Sequence, residues 1–180
     1  MYEVEMKVRA NHEQVRRALD EHGATPLDTI TQRDTYYDAP TRDFGETDEA
    51  LRIRRETEDG DERAKLTYKG PLVGETSKTR EEYETELGDG DVMGSILDSL
   101  GFAPVETVEK RRERFSIAEY VVTLDTVDGL GEFVEVETEA REKGIDAARA
   151  GVTETVEALG LDPDAEIRTS YLELLLDDAQ

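Results

Sequence analysis

Charged residues occupy alternate positions at the start of the chain, where Glu3, Glu5 and Lys7 are separated by Val4 and Met6. Successive side chains of a β-strand point to opposite faces, so a strand here would carry two carboxylates and an ammonium group on one face. Taken alone, this pattern is typical of an antiparallel sheet with one solvated side. The same groups could also bind a divalent metal and an anion, and later segments bear on that choice.

The alternation recurs along the chain and gathers basic residues in two places. Residues 50–80 contain eight lysines and arginines and residues 110–114 contain four, out of 22 in a strongly acidic protein. Carboxylates alternate in the same way in two further sets, Glu82, Glu84, Glu86 and Glu135, Glu137. Enclosing so many charges without a ligand would cost several kcal/mol for each unpaired ion. A polyanion with a divalent metal would satisfy both signs, because guanidinium and ammonium groups bind phosphate and carboxylates bind hard cations.

These residues fall on segments whose patterns predict strands joined mostly by short turns. The predicted strands are 2–9, 29–40, 50–57, 62–70, 79–88, 104–117, 119–127 and 131–140. The predicted helices are 11–23 with Asn11 as N-cap, a short helix capped by Asp91, 146–159 and part of the tail 167–177. Meandering connections favour an antiparallel sheet closed on itself. The predicted fold is α+β and mainly β: one domain over residues 1–180, a closed eight-stranded antiparallel β-barrel with a few peripheral helices.

Composition narrows the classes of function. The chain has 45 acidic and 22 basic residues and a net charge of -23, which suggests a halophilic, salt-adapted cytoplasm. At molar salt the Debye length is about 3 Å, so a carboxylate-coated surface is screened from its own repulsion. The absence of cysteine excludes disulfides and thiolate metal sites. We expect a cytoplasmic protein without a membrane segment or a nucleic-acid partner, because a signal peptide, a long apolar run and a basic overall charge are all lacking.

Eight blocks of the sequence resemble the CYTH superfamily, which is named for class IV adenylate cyclase and thiamine triphosphatase. They occur in the family's order, as EVEMK, DTYYDAP, ALRIRRE, KLTYKGP, TREEYE, VEKRRERF, TLDTVDGLGEFVEVE and SYLELL. The first is similar to the ExExK signature, which is weak alone and strong beside the others. The resemblance covers nearly the whole chain and is greatest to the class IV cyclase branch. It implies an eight-stranded barrel called a triphosphate tunnel, which binds triphosphate substrates with Mg²⁺ or Mn²⁺.

The resemblance also implies roles for individual charged residues. The implied metal ligands are Glu3, Glu5, Asp125, Glu135 and Glu137. The implied substrate-binding residues are Lys7, Arg52, Arg54, Lys65, Lys69, Arg80, Lys110 and Arg112. The implied catalytic residues are Lys7, Arg112 and Asp125. Glu82 and Glu84 match inward carboxylates that either bind metal or orient nearby arginines.

Two reactions are compatible with these residues. In a cyclase, the ribose 3′-hydroxyl of ATP attacks the α-phosphorus and pyrophosphate leaves. In a triphosphatase, metal-activated water attacks the terminal phosphorus of inorganic triphosphate, thiamine triphosphate or a nucleoside triphosphate. The resemblance favours the cyclase, a lyase that forms cAMP. A non-catalytic polyphosphate or nucleotide binding module is the third alternative, although anion binding alone would not need so many carboxylates. The partner is a small triphosphate molecule in each case, and a homodimer stays open.

Three pairs of residues, two tyrosines, two histidines and two arginines, give further expectations. One of Tyr36 and Tyr37 should pack in the core and the other should line the pocket. His12 and His22 should lie on the solvated surface, because they fall outside the matched blocks. Arg52 and Arg54 share a strand face and should repel each other in the absence of substrate, with nearby glutamates offsetting this only in part. Removing Arg54 should then leave the stability of the ligand-free protein unchanged or raise it.

Overall fold

Eight antiparallel strands close into a barrel in the computed structural model, which describes residues 1–73 and 78–178. The strands are β1 (Tyr2–Arg9), β2 (Thr25–Asp38), β3 (Ala50–Glu58), β4 (Asp61–Leu72), β5 (Lys78–Leu87), β6 (Ala103–Ile117), β7 (Tyr120–Val127) and β8 (Gly131–Ala140). Around the barrel they follow the order β1-β5-β4-β3-β2-β6-β7-β8, and β8 pairs with β1 to close it. The predicted fold class is confirmed.

Helices lie outside the strands and at one end of the barrel. They are α1 (His12–Glu21), α2 (Phe44–Thr47), α3 (Gly90–Ser99), α4 (Ile145–Ala158) and α5 (Tyr171–Asp178), with 3₁₀ turns at Glu142–Gly144 and Pro163–Ala165. Asn11 caps α1 as predicted and accepts a hydrogen bond from the backbone N–H of Gln14. The predicted cap of α3 was wrong. Asp89 caps it instead, because its extended backbone lets the carboxylate accept from the N–H groups of Asp91 and Val92.

The second strand begins earlier than its residue pattern predicts. It starts at Thr25, four positions before the predicted start, and is 14 residues long. Its first residues pair with the far end of β6, where Thr25 lies opposite Ser116. A bulge between Pro26 and Asp28 interrupts the register and accommodates the proline, which has no N–H to donate. Pairing with the long β6 strand therefore extends β2 beyond its own local signal.

The main apolar core lies outside the barrel, between its wall and two helices. Val4, Met6 and Val8 point outward from β1 and pack with residues of α1 and α4. The outward faces of β7 and β8 join the same cluster through Val122, Leu124, Val134 and Val136. Because these strands bury their apolar faces outward, their alternate positions carry polar and charged groups into the barrel.

The surface position predicted for His12 was wrong. The residue is only 2% exposed, and its Nε2 lies 2.9 Å from the carbonyl oxygen of Phe133. The first turn of α1 packs against β8, so the imidazole satisfies a backbone carbonyl of that strand. His22 lies on the exposed end of α1, as predicted, with Nδ1 2.8 Å from the carbonyl oxygen of Ala18.

A second apolar cluster lies where α5 meets the barrel. Tyr171 packs there with Val108, Val127 and Phe133, all of which are buried. The rings of Tyr171 and Phe133 meet edge to face with their centroids 5.0 Å apart. The apolar tail predicted to dock as a short helix therefore reaches the interior of the barrel through Tyr171.

Within the two described ranges, no helix combines the length and the apolar character that crossing a bilayer requires.

Candidate active site

The interior of the barrel is a charged cavity of about 490 Å³. It is lined by every predicted site residue except Asp125. The strand registers explain this convergence, because cross-strand partners share a face of the sheet. Arg54 lies directly opposite Asp34, Arg112 opposite Asp125, and Lys7 opposite Glu135.

Four cations, Arg52, Arg54, Lys110 and Arg112, form a basic wall of the cavity. This basic wall is organised around Asp34, a residue that the sequence interpretation missed. Asp34 is fully buried, and its two oxygens accept hydrogen bonds of 2.7 Å from Nε and Nη2 of Arg54. Arg52 and Lys110 approach the same carboxylate to 3.7 and 3.9 Å. Burial alone would raise the pKa of Asp34, but Arg54 and Arg52 outweigh it and hold that pKa below its ordinary value. The signal was its alternation with Gln32 and Tyr36 in the QRDTYY segment.

Asp34 overturns the expectation that Arg52 and Arg54 simply repel each other. The bidentate pair between Arg54 and Asp34 neutralises one guanidinium inside the barrel wall. Removing Arg54 would therefore leave the buried Asp34 carboxylate without the two hydrogen bonds that Arg54 donates. The stability of the ligand-free protein should then fall.

Lys110 is a buried cation on the same wall. Burial and the neighbouring Arg112 and Arg54 guanidiniums lower the pKa of Lys110 to about 7. Its Nζ lies 5.0 Å from the centroid of the Tyr171 ring, and Lys7 Nζ lies 4.1 Å from that centroid. One aromatic ring thus contacts two lysines of the cavity.

Arg112 is fixed in position by two carboxylates. Its Nε and Nη2 donate to the two oxygens of Asp125 at 2.8 and 2.7 Å, and Nη2 also donates to Glu135 at 3.0 Å. Asp125 additionally accepts a 2.8 Å hydrogen bond from the Tyr171 hydroxyl. Asp125 therefore lies behind the cavity wall and orients Arg112, outside the cluster of carboxylates that could hold a metal.

Three carboxylates meet on the opposite wall. Single oxygens of Glu3, Glu5 and Glu137 lie within 4.8 Å of one another. Burial, with Glu3 as the next contribution, raises the pKa of Glu137 to about 8. Three hard oxygen donors that repel one another fit a divalent cation. Glu135 differs, because Arg112 and Lys7 outweigh burial and Glu5 and lower its pKa.

The remaining predicted residues form a third side of the cavity. Lys69 Nζ lies 2.9 Å from Glu3 and 3.2 Å from Glu82. Lys65 lies 3.5 Å from Glu84, which also accepts a 2.9 Å hydrogen bond from Thr67. Glu82 and Glu84 thus contact lysines, and this geometry favours an orienting role for both.

Arg80 and the two tyrosines also line the cavity, and each makes a different contact. Arg80 donates to the backbone carbonyl oxygens of Asp48 and Gly70, so it also fastens the turn before β3. The Tyr36 hydroxyl accepts a 3.3 Å hydrogen bond from Arg52 inside the barrel. The Tyr37 hydroxyl instead lies beside Gly94 of α3, where an added Cβ would be 3.4 Å away. Both tyrosines line the cavity, and Tyr36 also packs against the apolar cluster around Tyr171. The predicted division into one core tyrosine and one pocket tyrosine was therefore wrong.

Comparison with known proteins agrees with this architecture. The CYTH domain profile matches residues 1–171. A Methanocaldococcus jannaschii protein named "Putative adenylate cyclase" is 39% identical over 178 residues, which is 97% of this chain and 98% of the relative. A solved Pyrococcus horikoshii structure is 40% identical with a TM-score of 0.91, covering 98% of this chain and 99% of that one.

A more distant structure shares the fold. It comes from Hippeastrum, is 17% identical, has a TM-score of 0.68, and covers 99% of this chain and 95% of that one. It is described as a "putative adenylyl cyclase" that "reveals a dominant" triphosphatase activity. The profile match over almost the entire length confirms the resemblance carried by the eight sequence blocks. This chain belongs to the CYTH family, whose members are phosphotransfer enzymes.

Proposed function

We propose that this protein is a metal-dependent enzyme that binds ATP in the barrel and converts it to cAMP and pyrophosphate. One observation carries the proposal: a basic wall built on Arg52, Arg54, Lys110 and Arg112 faces a cluster of three carboxylates across one cavity. A triphosphate chain with a divalent cation has charges of both signs in the matching arrangement.

Residues of the chain would position the substrate and neutralise its charge. Arg52, Arg54 and Arg112 would donate to phosphate oxygens, and Lys7 and Lys110, which both contact the Tyr171 ring, would add positive charge. Glu3, Glu5 and Glu137 would hold the cation, with Glu135 and Asp125 fixing Arg112 beside it. The cation, when bound, supplies Lewis-acid stabilisation of the developing negative charge.

The proposed reaction forms one bond and breaks one bond at phosphorus. The ribose 3′-oxygen attacks the α-phosphorus, its proton is released, and the bridging oxygen to the β-phosphorus departs with pyrophosphate. Phosphoryl chemistry of this kind depends mainly on alignment and electrostatic stabilisation, with no covalent enzyme intermediate. Arg112 is held in place for this purpose by three hydrogen bonds to carboxylates.

Triphosphate hydrolysis is the second candidate, and the fold shared with the Hippeastrum protein favours keeping it. The same cavity would then place water against the terminal phosphorus. The test incubates the protein with ATP and, separately, with inorganic triphosphate, each with Mg²⁺ or Mn²⁺, and quantifies cAMP, pyrophosphate and orthophosphate. We expect cAMP and pyrophosphate in equal amounts from ATP. Orthophosphate without cAMP would replace the cyclase by a triphosphatase, and binding without any product would indicate a non-catalytic module.

A further inference from the structure

Gln32 carries a buried hydrogen-bond acceptor that no described residue satisfies. It lies on the inward face of β2, lines the cavity and is 2% exposed. Its Nε2 donates to Oε1 of Glu56 at 3.4 Å, whereas its own Oε1 accepts no hydrogen bond from the parts of the chain that the structure describes. The Glu56 contact fixes the orientation of the amide, because a carboxylate accepts hydrogen bonds and the amide nitrogen donates them.

An unsatisfied acceptor points to a different ligand group from an unsatisfied donor. Nε of Arg52 is also buried without a partner among the described residues, and it lines the same cavity. A phosphate oxygen would satisfy that donor. An ionised triphosphate chain offers only acceptors, so it cannot satisfy Oε1 of Gln32. A donor on another part of the substrate would satisfy it, and a buried polar atom left unpaired is costly.

We propose that Gln32 determines substrate specificity by accepting a hydrogen bond from the organic group attached to the triphosphate. The inference rests on the proposed function. The donor would be a sugar hydroxyl or a base amino group, both of which are present in ATP and absent from inorganic triphosphate. Gln32 lies opposite Glu56 on one side and Lys110 on the other, so the organic group would lie beside the basic wall on β2, β3 and β6.

The test compares two ligands in one variant. Gln32→Met keeps the approximate shape of the side chain and removes the acceptor. The probes are ATP and inorganic triphosphate analogues in which methylene groups replace the bridging oxygens, so neither is turned over. Dissociation constants are measured by calorimetry with Mg²⁺, and the ratio of the two constants is compared with that of the unmodified protein. This ratio is insensitive to partial unfolding of the variant, because both ligands report on the same folded molecules.

We expect Gln32→Met to weaken binding of the ATP analogue by about tenfold and binding of the triphosphate analogue by less than about twofold. Gln14→Met is the matched control, because Gln14 is exposed on α1, and it should change neither constant. Equal weakening of both analogues, or no weakening of either, would overturn the inference and leave the proposed function standing. If the unmodified protein bound neither analogue, the proposed function would fail and the inference with it.

Discussion

The Tyr171 hydroxyl donates a 2.8 Å hydrogen bond to Oδ2 of Asp125, joining the first residue of α5 to the middle of β7. The same carboxylate holds Arg112 through both of its oxygens. The helix α5 and the Arg112 guanidinium in the cavity are therefore linked through one buried carboxylate. Any substitution at Tyr171 should affect both the docking of α5 and the position of Arg112.

Replacing Tyr171 by Phe should destabilise the protein by about 1.5–3 kcal/mol, the range for a hydrogen bond to a charged group. The ring contacts with Lys7 and Lys110 would persist, so the loss reports on the hydroxyl alone. Denaturant unfolding at neutral pH measures it. The control is Tyr120→Phe, whose hydroxyl makes a longer, 3.3 Å bond to Glu119 at an exposed site. Equal losses of unfolding free energy in the two variants would show that the hydrogen bond to Asp125 stabilises the protein no more than the exposed one to Glu119.

Arg54→Ala should lower the free energy of unfolding by about 3–5 kcal/mol, because it breaks a buried bidentate pair with Asp34. It should also weaken triphosphate binding by about 1.5–3 kcal/mol. Thermal and denaturant unfolding with and without inorganic triphosphate and Mg²⁺ measure both effects.

The neighbouring Arg55 provides the control for Arg54. It points outward and pairs at 2.7 Å with Asp91, whose side chain is 92% exposed. Arg55→Ala should cost about 0–1 kcal/mol and leave binding unchanged. A ligand-induced stabilisation of Arg54→Ala equal to that of the unmodified protein would argue against a phosphate contact at Arg54.

Triphosphate affinity should fall as pH rises through the pKa of Lys110, which is about 7 in the ligand-free protein. Below this pH the ammonium attracts the anion, and above it the neutral amine does not. If the bound form keeps the proton, the dissociation constant should rise about tenfold between pH 6 and pH 8. Calorimetry measures this with the methylene analogue of inorganic triphosphate.

Two variants isolate the contribution of Lys110 from the ionisation of the ligand itself. Lys110→Gln removes the titrating group, and Lys110→Arg keeps a charge throughout the range. Both should show a shallower pH dependence than the unmodified protein. A slope that is identical in all three proteins would assign the titration to another group.

Glu137→Gln should abolish metal-dependent turnover and leave the barrel folded. The substitution removes one of the three clustered carboxylates that would neutralise a divalent cation. It also removes the cost of burying the Glu137 carboxylate beside Glu3. We therefore expect unfolding stability without metal to be unchanged or higher, and Mg²⁺ binding to be weaker by at least about tenfold. Glu157→Gln, on the exposed side of α4, is the control. Full activity of Glu137→Gln at saturating Mg²⁺ would exclude Glu137 as a ligand.

Added salt should stabilise the protein, because its net charge is -23. Raising NaCl from 0.1 to 1 M shortens the Debye length from about 10 to about 3 Å and screens repulsion across the surface. The melting temperature should rise steeply over that range and then level off. A continued linear rise beyond 1 M would indicate solute exclusion, and a flat profile would refute the proposed adaptation to salt.

The sequence identifies the inward face of each strand much better than the partners on that face. Alternation is a local property, so the charged interior and the placement of Arg52, Arg54 and Arg112 could be predicted from it. Which carboxylate each cation meets depends on strand register, as with Asp34 opposite Arg54. The burial of His12 and the contact of Tyr171 with Asp125 likewise depend on helix packing between residues more than 40 positions apart.

The location of the apolar core outside the barrel implies that the strands differ in how easily they unfold locally. Outward side chains of β1, β7 and β8 are sealed beneath α1 and α4, whereas Tyr83 on the outer face of β5 is 60% exposed. Amide hydrogens of β1, β7 and β8 should then exchange with solvent near the rate of global unfolding, and those of β5 through cheaper local opening. The helix-backed half of the barrel, which supplies Glu3, Glu5 and Glu137, would act as a rigid frame for the carboxylates. Local opening of the barrel is therefore expected on the side of β5, where no helix among the described residues covers the exposed Tyr83.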